Sequence, residues 1–193
     1  MDSQYKTNND GGESRSIDVK VANPKSIRSS DFLLRFLAIA TTLTAAIVMG
    51  VANETKTVPI TLLPGADPIF IAVPAKMRYS SAFIYFVVVN AIASAYALFS
   101  LLATMAGGKG LALFIIALDL MMVALLSSGN GAAAAIGVLG YNGNKHVRWN
   151  KVCNVFDKFC RHVAGSLVVS LIGALAFLLL VLCSILNLHR RSR

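Results

Sequence analysis

The chain has 193 residues, of which 56% are hydrophobic and only 14% charged, and its mean hydropathy is +0.67. A water-soluble domain of this size carries more charge and less apolar side chain, so a soluble globular core is excluded. The net charge of +9 does not point to nucleic acid, because the basic residues sit beside apolar runs, where anionic lipid is the nearer partner.

Residues 1–31 are polar and read as a disordered tail, with Ser30 or Asp31 placed to cap the helix that follows. Because this tail precedes the first apolar run, no cleavable signal peptide is expected, and the first span serves as an uncleaved anchor. Four runs are then long enough to cross a hydrocarbon core of about 30 Å, which takes roughly 20 helical residues. They are Phe32–Ala52, Tyr79–Ala106, Leu111–Leu139 and Val163–Leu188. The expected fold is therefore an all-α membrane protein, a four-helix bundle over residues 32–188. Residues 53–78 and 140–162 form two outer loops, and 189–193 form a basic tail. The first loop contains Pro59, Pro64, Pro68 and Pro74, and "TVPITLL" allows one short strand there. Gly107-Gly108-Lys109-Gly110 is a tight turn. The third run is interrupted by Gly129-Asn130-Gly131, where it is expected to leave the bilayer and continue as a helix outside it.

Lys and Arg near the span ends are slightly more numerous on the side of the two termini, which favours both termini in the cytosol. Cys153 and Cys160 share the second outer loop, as cysteines do in an oxidising compartment. A disulfide between them needs a bend near Asn154–Asp157. In one straight helix seven residues would separate their α-carbons by about 10 Å, beyond the roughly 7 Å that a disulfide allows. With His146 and His162 these cysteines could instead bind zinc, but the spacing matches no usual zinc module, and no metal or cofactor is expected. Asn53-Glu54-Thr55 is a glycosylation sequon on the same side, very close to the membrane. Cys183 lies deep in the last span and reads as packing.

One acid stands inside a span, Asp119 in "FIIALDLMMVALL". A carboxylate in hydrocarbon costs several kcal/mol unless paired, which makes it a candidate functional residue. Arg35 is its expected partner. It lies about 6 Å in from Asp31, and Asp119 lies about 14 Å in from Gly110, so the long arginine stem bridges much of the difference. A bidentate Arg–carboxylate pair would fix the rotation of both helices. The alternatives are that Arg35 pairs with Asp31 one turn back or snorkels to the headgroups. A proton or ion relay at Asp119 is the sharper alternative, but relays use chains of ionisable groups.

Small residues mark helix contacts. The last span has Gly165, Ser166, Ser170, Gly173 and Ala174, and the second has Ala91, Ser94 and Ala95. These faces serve either packing within the bundle or an oligomer interface, and Asn90 is placed to hydrogen-bond across such a contact. No Gly-x-Ser-x-Gly, His-Glu-x-x-His or phosphate loop is present, so an enzyme is not expected.

Four spans, Arg35 in the first, Asp119 in the third, and "NGNKHVRWNKVCNVFDKFCRHVAGSLVVS" leading into the fourth resemble the Casparian strip membrane domain proteins and their CASP-like relatives in plants, a family related to the MARVEL four-helix membrane proteins. The first outer loop lacks the aromatic-rich signature of the true Casparian strip members. Together with "SAFIYFVVVNAIASAYAL" this places the resemblance with CASP-like subgroup 1. The resemblance implies a multi-pass plasma-membrane protein that self-associates as a homodimer or larger and forms heteromers with other family members. It also implies a scaffold that organises a membrane domain and recruits secreted peroxidases or other cell-wall-modifying enzymes. Arg35 and Asp119 match the family's charge pair, and Cys153 and Cys160 its outer-loop cysteines. The rival expectation is a small channel or transporter with Asp119 as its ion or proton site.

Overall fold

The computed structural model describes residues 24–60, 69–105, 112–144, 146 and 150–191. The expected features at residues 1–23, the Gly107–Gly110 turn, Pro64 and Pro68, Trp149 and residues 192–193 lie outside the described residues.

Four long helices dominate: α1 Pro24–Gly50, α2 Ser81–Met105, α3 Ala112–Asn142 and α4 Asp157–Arg191. Each contains an apolar stretch long enough to cross a bilayer, at Ser29–Gly50, Ser81–Met105, Leu113–Asn142 and Asp157–His189. Large apolar side chains cover the outside of the bundle as well as its interior, among them Leu33, Phe99, Leu120, Leu175 and Leu186. Helices that are apolar all round belong in lipid. The chain is a four-span helical membrane protein.

α1 starts earlier than the polar composition suggested. Pro24 takes the first helical position, where its missing N–H costs nothing. Ser30 and Asp31 therefore lie inside α1 instead of capping it. α3 runs unbroken through Gly129-Asn130-Gly131, because neighbouring helices support glycine within a membrane span. It ends at Gly143, whose φ of 69° lets its N–H reach the Leu139 carbonyl at 2.9 Å. α4 begins at Asp157, an acidic first residue that suits the positive end of the helix dipole.

The loop between α1 and α2 is a hairpin, not a single short strand. β1 (Asn53–Ile60) pairs antiparallel with β2 (Ile69–Lys76), in a register from Asn53↔Lys76 to Ile60↔Ile69. Pro59 and Pro74 are tolerated because each strand of a two-stranded sheet has a free edge.

α1 packs on α2 and α4, and α3 also packs on α2 and α4, so α1 and α3 stand at opposite corners of a square. One apolar cluster, with Ala38, Ala97, Leu126 and Phe177, fills the half of the bundle near the termini. A second, with Met49, Phe86, Phe159 and Val163, fills the half near the hairpin.

The small-residue face of α4 belongs inside the bundle. Ser166, Ser170 and Gly173 are buried. A Cβ at Gly173 would lie 2.9 Å from both Thr41 Oγ1 and Thr42 Cγ2 of α1. Glycine is what lets these two helices approach so closely. Of the two readings of that face, these three residues take packing within the bundle. Gly165 alone of the five small residues faces outward, with nothing near its Cβ position.

Candidate functional site

The two diagonals of the square are each bridged by polar side chains. On the first, Arg35 from α1 reaches Asp119 on α3, with Nη2 donating to Oδ2 at 3.4 Å. Both are buried, Asp119 completely. Arg35 does not clamp Asp119 with two parallel bonds as expected, because its other nitrogens are used elsewhere. Nη1 donates to Ser100 Oγ on α2 at 2.6 Å, and Nε donates to Asp31 Oδ2 at 3.2 Å, one turn back on α1. The two partners that sequence reasoning set against each other, Asp31 and Asp119, are bound together. Tyr96 completes the site. Its hydroxyl lies 2.8 Å from Asp119 Oδ1 and 3.1 Å from the Ile115 carbonyl.

The outcome is a network that ties α1, α2 and α3 through one guanidinium. Tyr96 and Ser100 were missed by sequence reasoning. Their signal was available: they are four apart on α2 and so share a face, and a hydroxyl pair in an apolar span is expected to find buried polar partners.

The second diagonal joins α2 to α4. Ser170 Oγ donates to Asn90 Oδ1 at 2.9 Å, and Asn90 Nδ2 donates back to the Phe86 carbonyl at 2.9 Å. Nearby, Ser166 Oγ donates to the Val163 carbonyl at 2.9 Å. Asn130 on α3 is different. It is buried, and neither amide atom has a partner.

At the hairpin face, Cys153 and Cys160 form a disulfide with α-carbons 5.7 Å apart. The turn at residues 152–155 supplies the bend that this requires. Val152 and Cys153 donate their N–H groups to the Gly140 carbonyl at 2.9 and 3.2 Å, which ties the turn to the end of α3. Glu54 of β1 fastens the hairpin to α4. Its Oε2 accepts the Phe159 N–H at 3.0 Å, at a helix N-terminus whose free N–H groups favour an anion. That hydrogen bond holds the Glu54 carboxyl below its ordinary value, helped by Lys56 at 3.4 Å and opposed by burial. Asn53, the sequon asparagine, is exposed at the base of the hairpin. Among the described residues no group of three or more His, Cys, Asp or Glu side chains could hold a metal.

The chain matches the Casparian strip membrane protein domain over residues 24–176. It is 52% identical to CASP-like protein 1E1 of Ricinus communis over 194 aligned positions, covering 100% of both chains. It is 54% identical to CASP-like protein 1E2 of Glycine max over 186 positions, covering 95% of this chain and 100% of the relative. It is 45% identical to CASP-like protein 1E1 of Arabidopsis thaliana over 167 positions, covering 84% and 88%. No solved structure matches.

Proposed function

The chain belongs to the Casparian strip membrane protein family, within CASP-like subgroup 1, and from that premise we propose that it is a non-enzymatic scaffold of the plasma membrane. The proposal is that copies associate with one another and with related chains to organise a membrane domain. The observation that carries it is the state of Asp119. This acid is fully buried and held by Arg35 and Tyr96. A relay needs a carboxylate that can exchange its partners, whereas this one joins helices.

The disulfide supports the proposed orientation: cystines persist in oxidising compartments, which favours the hairpin face with Cys153–Cys160 on the outside and both termini in the cytosol. On that face Ile69, Phe70, Ile71 and Val73 are exposed and offer a surface to secreted wall-modifying enzymes. For self-association, the small residues that remain outward are Ala91 and Ala95 on α2 and Gly165 on α4. Such positions allow the close helix approach that drives association in lipid.

The rival reading, a channel or transporter, is tested by flux in liposomes. A scaffold gives no ion- or proton-dependent flux, and Asp119→Asn changes nothing in that assay. A flux abolished by Asp119→Asn would replace the scaffold with a transporter.

A further inference from the structure

The two apolar clusters of the bundle do not merge, because a buried polar residue stands between them on every helix. On α1 Thr42 lies between Ala38 and Ala45, and on α2 Asn90 lies between Ala93 and Phe86. On α3 Asn130 lies between Leu126 and Ala133, and on α4 Ser166 and Ser170 lie between Ala174 and Val163. The packing brings these residues to a similar depth. A Cβ at Gly173 would meet Thr41 and Thr42, one at Gly129 would meet Phe86 and Val89, and one at Gly137 would meet Val163. α3 and α4 run in opposite directions. Asn130, two turns back from Gly137, therefore stands opposite Ser170, two turns on from Val163.

In this polar tier Asn130 is the exception. The Thr42 and Ser166 hydroxyls donate to carbonyls of their own helices, Ala38 and Val163. Ser170 donates to Asn90 Oδ1, and Asn90 Nδ2 donates to the Phe86 carbonyl. Asn130 is 5% exposed, and neither Oδ1 nor Nδ2 has a partner among the described residues. It lies on the inward stripe of α3 with Asp119, Met122, Leu126 and Ala133, so its amide points into the bundle. Buried polar atoms are nearly always hydrogen-bonded. An amide with both atoms open therefore calls for a ligand that the chain does not supply. The open capacity at this depth is of mixed sign. It comprises the two N–H groups and the oxygen of Asn130, one further N–H of Asn90 and the lone pairs of Ser170 Oγ. A ligand that both donates and accepts fits this set. A cation does not, because the N–H groups repel it and the acid of this helix, Asp119, is three turns away.

We propose that Asn130 binds an internal water molecule and shares it with Asn90 and Ser170. Water stays inside a protein where it finds two to four polar partners, and these three side chains supply them. The neighbouring inward positions on α1 and α3 are Ala45 and Ala133, so no long side chain competes for the space. The water ties α3 to the Asn90–Ser170 bond, as Asp119 ties it to Arg35. Apolar clusters lie on both sides of it along the bundle, so it is isolated and is no step of a conducting path. The site is independent of whether copies of the protein assemble.

The test uses the full-length protein in lipid bilayers, isotopically labelled at asparagine, alanine and leucine. Solid-state NMR then measures magnetisation transfer from water protons to each labelled nitrogen. Transfer to the Asn130 side-chain amide is expected, and its signal is assigned by its loss in Asn130→Leu. Leucine there replaces amide and water together, so that variant keeps its fold. The side chain of exposed Asn53 is the wet reference. The backbone amides of Ala97 and Leu126, residues with no exposure, are the dry one. Ser170→Val removes one of the water's partners and should cut the transfer at Asn130 while leaving that at Asn53 unchanged. No transfer at Asn130 beside a clear signal at Asn53 would overturn the proposal, as would a direct Asn130–Asn90 amide contact without it. Transfer at Ala97 and Leu126 as well would mean that water runs through the bundle, which contradicts an isolated site. A shift of the Asn130 amide when sodium is exchanged for N-methylglucamine would assign the site to a cation instead.

Discussion

Arg35 and Asp119 should be unequal when each is removed alone. In Asp119→Leu, Arg35 keeps Asp31 at 3.2 Å and Ser100 at 2.6 Å. The loss is then two interhelical polar contacts, to Arg35 and to Tyr96, each about 0.6 kcal/mol on average in membrane proteins and about 1.7 at most. In Arg35→Leu, Asp119 keeps only the Tyr96 hydroxyl at 2.8 Å, in a position with no solvent exposure. An acid left without its cation at the middle of a span costs about 2.5–3.5 kcal/mol on insertion scales. Arg35→Leu should therefore destabilise by about 3 kcal/mol and Asp119→Leu by about 1. The double variant should resemble Asp119→Leu alone, because no unpaired acid remains at that position. Reversible unfolding of all four proteins in bicelles measures this as a double-mutant cycle, with an expected coupling of about 2–3 kcal/mol. Additive losses, or Asp119→Leu as the more damaging single change, would show that the network does not work through Asp119.

Asn130→Leu should hold or raise stability, by about 1 kcal/mol, because it removes a buried amide whose two polar atoms are unpaired; a clear loss in the same unfolding assay would mean that the amide has a partner. Gly173→Leu should destabilise the bundle itself by about 1–3 kcal/mol, since any side chain there runs into Thr41 and Thr42. Gly165→Leu should leave the melting temperature unchanged, and equal effects at the two glycines would contradict the packing. Glu54 should make stability depend on acidity. Its folded carboxyl lies below its ordinary value of 4.5, so its contribution is full above that pH. The contribution declines as the unfolded carboxyl protonates first, and is gone once the folded one protonates too. Melting curves of Glu54→Gln should lack this acid-side decline, and an unchanged decline would assign it to other groups.

The spans and the Arg35–Asp119 contact were legible in the sequence because both rest on strong, local signals. About 20 apolar residues in a row have one usual meaning, and a lone acid in hydrocarbon demands a cation. The disulfide bend was legible for a geometric reason, since seven helical residues hold two α-carbons too far apart. What was not legible concerns direction. In a soluble helix the apolar stripe points inward, but here lipid is as apolar as the core. Gly173 and Gly165 therefore read alike, although one packs on α1 and the other faces outward. The hairpin was hidden by Pro59 and Pro74, which argue against strands except at free edges.

The claim that the protein is a scaffold rests on its association with itself. The direct measurement is the mass of the protein in discs cut from native membrane, without detergent, across a range of expression levels. The account predicts more than one chain per assembly, and an unchanged assembly after residues 1–23 are deleted, because the association lies in the spans. A single chain per disc at every level would contradict it.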